Sequence, residues 1–284
     1  MGVTFSQLYP PLPSLTEANL PSQKSKVFIV TGASSGQPYQ AGGKVYITAR
    51  SEEKGQQAIS DITESAQNNN KSTTPGSLHY LYLELSDLAS IKYTAQTFQA
   101  KEPHLHVLFN NAGVSLPPAV SKSAQNHEFQ LATNCLGPWL LTNLLLPQFR
   151  AATESSSPGS VRVVWTSSLM VELATPTSGA NIAALLSQTE ATRPDQEMLY
   201  TGSKTGNWFL ASEFARTAND NSWDGENRGT IISVTQNPGN PRTNLLRHTS
   251  RLFRLSTGWL LFDAKMGAYT ELWAGAVARD QGGG

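Results

Sequence analysis

Short runs of β-branched and aromatic residues recur along the chain, separated by stretches with helical periodicity. The run 26–30, Lys-Val-Phe-Ile-Val, ends in Thr31-Gly32 and predicts a buried strand. Five further strands are predicted at 44–48, 78–83, 106–109, 161–165 and 230–234. Apolar positions with helical spacing predict helices over 52–65, 88–98, 128–150 and 200–217. Strands that alternate with helices predict an α/β fold, a Rossmann-like doubly wound parallel sheet of about six strands. In such a sheet, ligands bind beyond the C-terminal strand ends, near the switch point of strand order.

Residues 1–24 hold four prolines and little periodicity, and are expected to form a tail lying on the domain or disordered. Residues 25–284 are expected to form a single domain. The polar connections 65–77, 152–160 and 218–229 do not resemble inter-domain linkers. A longer segment, 174–198, carries Pro176, Gly179 and Pro194, with a short helix expected within 181–187.

The 284-residue length supports one large core. Twenty-one basic residues balance 21 acidic ones and no basic block is present, so nucleic acid is not an expected partner. The single cysteine, Cys135, cannot close an intrachain disulfide; a reducing, cytoplasmic setting is expected. No apolar run reaches the ~18 residues of a membrane span, and the N-terminus lacks a secretory signature. Met1-Gly2-Val3-Thr4-Phe5-Ser6 matches a loose myristoylation pattern, with no polybasic stretch to add a second anchor.

Candidate chemistry centres on Leu199-Tyr200-Thr201-Gly202-Ser203-Lys204. On a helix, Tyr200 and Lys204 share a face. An ammonium near a phenol favours phenolate and draws the tyrosine pKa down from about 10. Such a tyrosine gives a proton to a carbonyl oxygen or takes one from an alcohol. An amphipathic helix with a surface lysine shows the same spacing, so the order of the other motifs carries the weight.

Those motifs resemble the short-chain dehydrogenase/reductase family over about residues 25–275. Thr31-Gly32-Ala33-Ser34-Ser35-Gly36 resembles the start of its glycine-rich turn, and Asn110-Asn111-Ala112-Gly113 its N-N-A-G after the fourth strand. Asn134 matches its helix asparagine, Ser167-Ser168 its serine after the fifth strand, Tyr200 and Lys204 its Y-x-x-x-K, and Pro238-Gly239 the turn after the sixth strand. The long separation of Ser168 from Tyr200 is similar to the retinol-dehydrogenase-like branch and its fungal relatives, which implies a place in secondary metabolism.

The resemblance implies catalysis by Ser168, Tyr200, Lys204 and Asn134. Tyr200 is then the proton donor or acceptor, Lys204 tunes it and holds the nicotinamide ribose, and Ser168 bonds the substrate oxygen. Asn134 helps link the lysine to a proton-relay water. Cofactor binding is expected at Gly32, Ser35, Gly36, Arg50, Glu84, Asn110, Tyr200, Lys204 and Thr243. Arg50, just past the second strand, favours NADP over NAD, because a cation there meets a 2′-phosphate. Glu84 stands where the family has an aspartate facing the adenine. Trp165, Leu169, Met170 and the 174–198 segment are expected to shape the pocket for a small apolar carbonyl or alcohol. The resemblance also implies a homo-oligomer.

The chain departs from the family in three places. After Gly36 the link runs Gln37-Pro38-Tyr39-Gln40-Ala41-Gly42-Gly43 before the second strand. About seven residues, or two helical turns, are missing, and with them the helix N-terminus that normally holds the pyrophosphate. At most a single helical turn is expected. Pro241 takes the place of an apolar residue whose N–H meets the nicotinamide amide. A last strand, the seventh, is expected to be absent. The short link has two readings: a mis-spliced or mispredicted gene, or a protein that has lost dinucleotide binding. NADP-dependent oxidoreduction is the favoured expectation. The alternatives are a cofactor-deficient scaffold and a cofactor-independent isomerase or dehydratase using Tyr200 and Lys204.

Overall fold

Six strands form one parallel sheet in the order β3-β2-β1-β4-β5-β6. They are β1 (Val27–Thr31), β2 (Lys44–Ala49), β3 (Ser77–Tyr82), β4 (Val107–Asn110), β5 (Arg162–Thr166) and β6 (Ile232–Gln236). Each lies within two residues of its predicted place. The order reverses between β1 and β4, which puts the switch point where Thr31 and Asn110 end their strands. The computed structural model describes residues 11–32, 37–68, 75–118, 120–175, 185, 194–220, 229–243, 245 and 261–276. The helix expected within 181–187, apart from residue 185, the myristoylation pattern, Ser35 and Gly36 lie outside them.

Alternation along the strands divides the core between two faces. Val27 and Ile29 of β1 join Leu108 of β4 and Val163 and Trp165 of β5 on one face. Phe28 and Val30 join Val45, Ile47, Val107, Phe109 and Val164 on the other. Both faces of β1 are buried, as a near-continuous apolar run in a parallel sheet requires.

The helices are α1 (Gln37–Gln40), α2 (Glu52–Asn68), α3 (Leu88–Gln99), α4 (Phe129–Leu131), α5 (Gly137–Leu144), α6 (Leu146–Ser155), α7 (Leu169–Ala174), α8 (Gln196–Ala218) and α9 (Ala264–Ala276). The continuous helix expected over 128–150 is broken. A π-helical turn, Ala132–Leu136, links α4 to α5, and Pro138 and Pro147 stand in the first turns of α5 and α6. Proline has no N–H for the preceding turn, so each marks a fresh start. α8 begins four residues before the predicted start, where the Asp195 side chain accepts from the Met198 N–H at 2.8 Å. Neither α7 nor α9 was expected from periodicity.

Among the described residues the first crossover holds a single helical turn, as the missing residues predict. Pro38 and Tyr39 carbonyls accept from Gly43 and Gly42, and Gly42 takes φ 95°, a left-handed value open to glycine. The Tyr39 carbonyl also accepts from the Gly76 N–H at 2.8 Å, tying the link to the start of β3. The backbones approach so closely that a Cβ on Gly76 would lie 1.8 Å from the Gly43 oxygen. Tyr39 itself is buried in the core face formed by Phe28, Val45 and Ile47. The shortened link is thus packed and hydrogen-bonded in its own right.

The N-terminal segment lies against α9. The Glu17 carboxylate accepts from Lys265 Nζ at 2.6 Å and from the Tyr269 hydroxyl at 2.7 Å. Residues 11–15 and α9 enclose a cavity of about 280 Å³ that reaches Asn237–Gly239. Among the described residues the sheet has no seventh strand, no helix is long and apolar enough to cross a membrane, and no group of three His, Cys, Asp or Glu is placed to hold a metal.

Candidate active site

The C-terminal ends of β1, β4 and β5 are fastened first. Thr31 Oγ1 donates to the Phe109 carbonyl and accepts from the Asn111 and Ala112 N–H groups, all at 3.0 Å. The Asn111 side chain donates to the Thr31 and Gly32 carbonyls. Gly32 has φ 73°, and a Cβ there would come 3.1 Å from the Ala112 Cα. This is a tight turn that glycine alone fits without strain.

Asn110, expected at the cofactor, faces elsewhere. Successive side chains on a strand point to opposite sides, and that of Asn110 enters the interior to donate to Thr142 Oγ1 on α5 at 3.0 Å. Its neighbour Asn111 is the one that reaches β1. Trp165, expected in the pocket, is fully buried against Trp139 and Phe214 and donates to Ser233 Oγ at 3.0 Å; it is core.

Asn134 sits in the π-helical turn and is 1% exposed. Its Oδ1 accepts from the Val114 N–H at 2.9 Å, and its Nδ2 donates to the Val114 carbonyl at 3.0 Å and to Ser203 Oγ at 2.9 Å. Ser203 Oγ in turn donates to the Tyr200 carbonyl at 2.7 Å. One amide therefore ties the loop after β4 to the helix carrying Tyr200 and Lys204. Ser203 was missed from sequence; the only sign is a hydroxyl inside the motif itself, next to Lys204.

Lys204 is 3% exposed and its Nζ donates to the Thr166 carbonyl at 3.0 Å, at the end of β5. Asn207 Nδ2 donates to the same oxygen, Gln236 Nε2 donates to Thr166 Oγ1, and Ser167 Oγ donates to the Lys204 carbonyl. Burial pulls the Lys204 pKa down to about 8, against the attraction of Cys135 and of Glu271 on α9. Gly113 leaves room beside the amine: a Cβ there would lie 3.1 Å from Asn134 Oδ1 and 3.3 Å from Lys204 Nζ. Cys135 is buried, donates to the Ser203 carbonyl, and burial pushes its thiol up to about 12.

Tyr200 is 8% exposed. Burial raises its pKa, partly offset by a hydrogen bond with Ser168. The expected depression by Lys204 is therefore corrected: desolvation dominates at the phenol while the ammonium is turned to the Thr166 carbonyl. Ser168 caps α7, accepting from the Met170 N–H at 3.3 Å, and so stands at the end of β5 facing Tyr200.

At the other end of the sheet, Arg50 and Glu84 form an ion pair of 3.6 Å, and Glu84 Oε1 accepts from the Ser86 N–H and hydroxyl. Thr243 is exposed and its hydroxyl accepts from the Leu245 N–H. Pro241 pairs with Phe262, flanked by Arg242 N–H to Phe262 carbonyl and Phe262 N–H to Asn240 carbonyl bonds.

Ser168, Tyr200, Lys204 and Asn134 thus converge beside the switch point. Gly32 marks its near edge, Arg50 and Glu84 its far one.

Comparison with known proteins agrees with the fold. The short chain dehydrogenase family matches residues 26–222. A short-chain dehydrogenase/reductase of Pestalotiopsis fici, iacJ, is 40% identical over 281 residues, covering 95% of this chain and 82% of that protein. A solved Mycobacterium paratuberculosis protein superposes with a TM-score of 0.63 at 26% identity, covering 93% of this chain and 81% of the other. The Pseudomonas aeruginosa RhlG/NADP active-site complex shares the fold, with a TM-score of 0.59 at 22% identity, covering 90% and 93%. With the family match over residues 26–222 and the 40% identity to iacJ, the chain belongs to the short-chain dehydrogenase/reductase family.

Proposed function

We propose that the protein is an NADP-dependent oxidoreductase acting on a small, apolar carbonyl or alcohol. The observation that carries the reading is the Tyr200–Ser168 pair, backed by the buried Lys204 and pinned by Asn134. The residues present fit a nicotinamide dinucleotide at its reactive end. Gly113 lets the backbone after β4 pass close against Asn134 and Lys204, where a Cβ would crowd the amine, and among the described residues Asn237 Nδ2 is buried without a partner in the turn after β6. Lys204 would hold the ribose there, and Arg50 a 2′-phosphate. When bound, the dinucleotide supplies or takes the hydride.

This chain's residues handle the proton. Tyr200, held neutral by burial, donates from its hydroxyl to the carbonyl oxygen as charge builds there. Ser168 bonds the same oxygen and stabilises that charge. Lys204 and Asn134 fix the helix that presents the phenol. In the alcohol direction the transfers reverse, with Tyr200 taking the proton.

Relatives support the choice of cofactor only in part: the Pseudomonas protein is a complex with NADP. Kinship with fungal proteins such as iacJ supports a place in secondary metabolism. The single, buried Cys135 supports a reducing, cytoplasmic setting. Exposed Trp208 and Phe209 on α8 offer an apolar face for a second copy.

A second reading, a cofactor-deficient scaffold or a cofactor-independent isomerase, draws on the four-residue α1, too short to present a helix N-terminus to a pyrophosphate. The deciding experiment is NADPH consumption with a panel of apolar ketones by the wild type and Tyr200→Phe. Turnover by the wild type, reduced by about 10²–10⁴ in Tyr200→Phe, is expected. Equal rates in both would overturn the assignment of Tyr200. Cofactor-free enolisation lost in Tyr200→Phe would select the isomerase.

A further inference from the structure

The ends of β2 and β3 meet in a way that the oxidoreductase reading does not by itself explain. The two strands are paired up to Ala49 and Tyr82, and the Leu83 N–H closes the ladder on the Ala49 carbonyl at 3.1 Å. Arg50 and Glu84 follow immediately, on adjacent strand ends. Glu84 is fixed through one oxygen, which accepts from the Ser86 N–H at 3.0 Å and the Ser86 hydroxyl at 2.8 Å. Its other oxygen faces Arg50 Nη1 at 3.6 Å. The carboxylate stays where it is whether or not Arg50 does. Arg50, its side chain 59% exposed, is the partner free to turn.

We infer that Glu84 is a specificity-determining residue: as the anchored counter-ion of Arg50 it competes with a ribose 2′-phosphate for the guanidinium, and so restrains the preference for NADP over NAD. The inference rests on the proposed use of a nicotinamide dinucleotide and of Arg50 at its 2′ position. A phosphate carries more charge than a carboxylate and offers the guanidinium a bidentate partner, so it can displace Glu84. The displaced carboxylate remains close by and repels the same phosphate. A plain 2′-hydroxyl meets no such repulsion. An exposed, long ion pair of this kind is easily exchanged, so the effect is a bias rather than a block.

The test is equilibrium binding, by calorimetry on the full chain, of NADPH, NADH, 2′-AMP and 5′-AMP to the wild type, Glu84→Gln, Arg50→Ala and the double variant. Glu84→Gln is expected to tighten NADPH and 2′-AMP by about fivefold, the scale of one exposed ion pair, and to leave NADH and 5′-AMP within about twofold. The gain should vanish in the double variant. NADPH and NADH shifting together, or a gain that persists without Arg50, would overturn the inference while leaving the oxidoreductase reading intact. Binding of 2′-AMP that depends on Glu84, with no binding of either whole dinucleotide, would sink the oxidoreductase reading and, with it, a choice between NADP and NAD, leaving only the competition for Arg50. No binding of 2′-AMP or NADPH to any folded variant overturns both.

Discussion

The two ends of the proposed cofactor site are built in opposite ways. The corner holding Tyr200 and Lys204 is buried and cross-bonded: Asn134, Ser203, Thr166, Asn207 and Gln236 each fasten one element to another. The end formed by β2 and β3 presents an exposed ion pair, and the crossover leading to it is one turn long. A chemical step needs side chains fixed relative to one another, so its support comes from long helices and strand ends. Phosphate recognition rests on a turn, and a turn can lose residues while the sheet survives, provided something fills the core. Here Tyr39 does so.

Removing that filling gives the largest expected effect on the thin side. Tyr39→Ala should destabilise the chain by about 3–4 kcal/mol, the usual range for deleting a buried aromatic, as read from urea unfolding. A loss under ~1 kcal/mol would mean that the crossover contributes little to the core.

On the dense side, Asn134→Ala leaves the Val114 N–H and carbonyl and the Ser203 hydroxyl without their partner. About 3 kcal/mol of stability should be lost in the same assay. Amide exchange should rise together at Val114 and in the first turns of α8. Faster exchange at Val114 alone would show that the two are not coupled through Asn134.

The buried lysine sharpens the contrast through pH. Its folded pKa, about 8, lies below that of an unfolded lysine. Between the two values the unfolded chain binds the proton that the folded chain has released, so the lysine's contribution to stability rises with pH across that window, opposed above about pH 9 by the buried Cys135 thiol, which stays protonated only when folded. Below about pH 8 the penalty of the buried charge is present in full. The rise should be on the order of 2–3 kcal/mol and be missing from Lys204→Met. A wild-type curve parallel to that of the variant would place the amine in contact with water.

Arg50→Ala marks the small end of the scale. The pair it breaks is exposed, so stability should change by less than ~1 kcal/mol. A larger loss would move this ion pair from recognition to structure.

The sheet was legible in the sequence because β1, β2, β4 and β5 are short apolar runs at regular spacing, and a parallel sheet buried on both faces leaves that trace. The corner was legible as Ser168, Tyr200, Lys204 and Asn134 because each keeps its order relative to a strand end. Direction was harder. Asn110 and Asn111 are the same residue type, and strand parity alone decides which one turns inward. Trp165 reads equally well as pocket or core; Trp139 and Phe214, distant in sequence, settle it as core. Spacing placed Lys204 on the face of Tyr200 but could not show the Thr166 carbonyl that takes its amine. The break at Ala132–Leu136 was hidden because the apolar pattern runs through it unaltered. Where an outcome depended on a partner far along the chain, periodicity had nothing to say.

The most direct test is a calorimetric titration of NADPH into the purified full-length chain. Saturable binding in the micromolar range, weakened by Lys204→Met, is the predicted result, because Lys204 is proposed to hold the nicotinamide ribose. Absence of heat at millimolar NADPH, with the protein folded by circular dichroism, would contradict it and leave the Tyr200 corner without a nicotinamide cofactor.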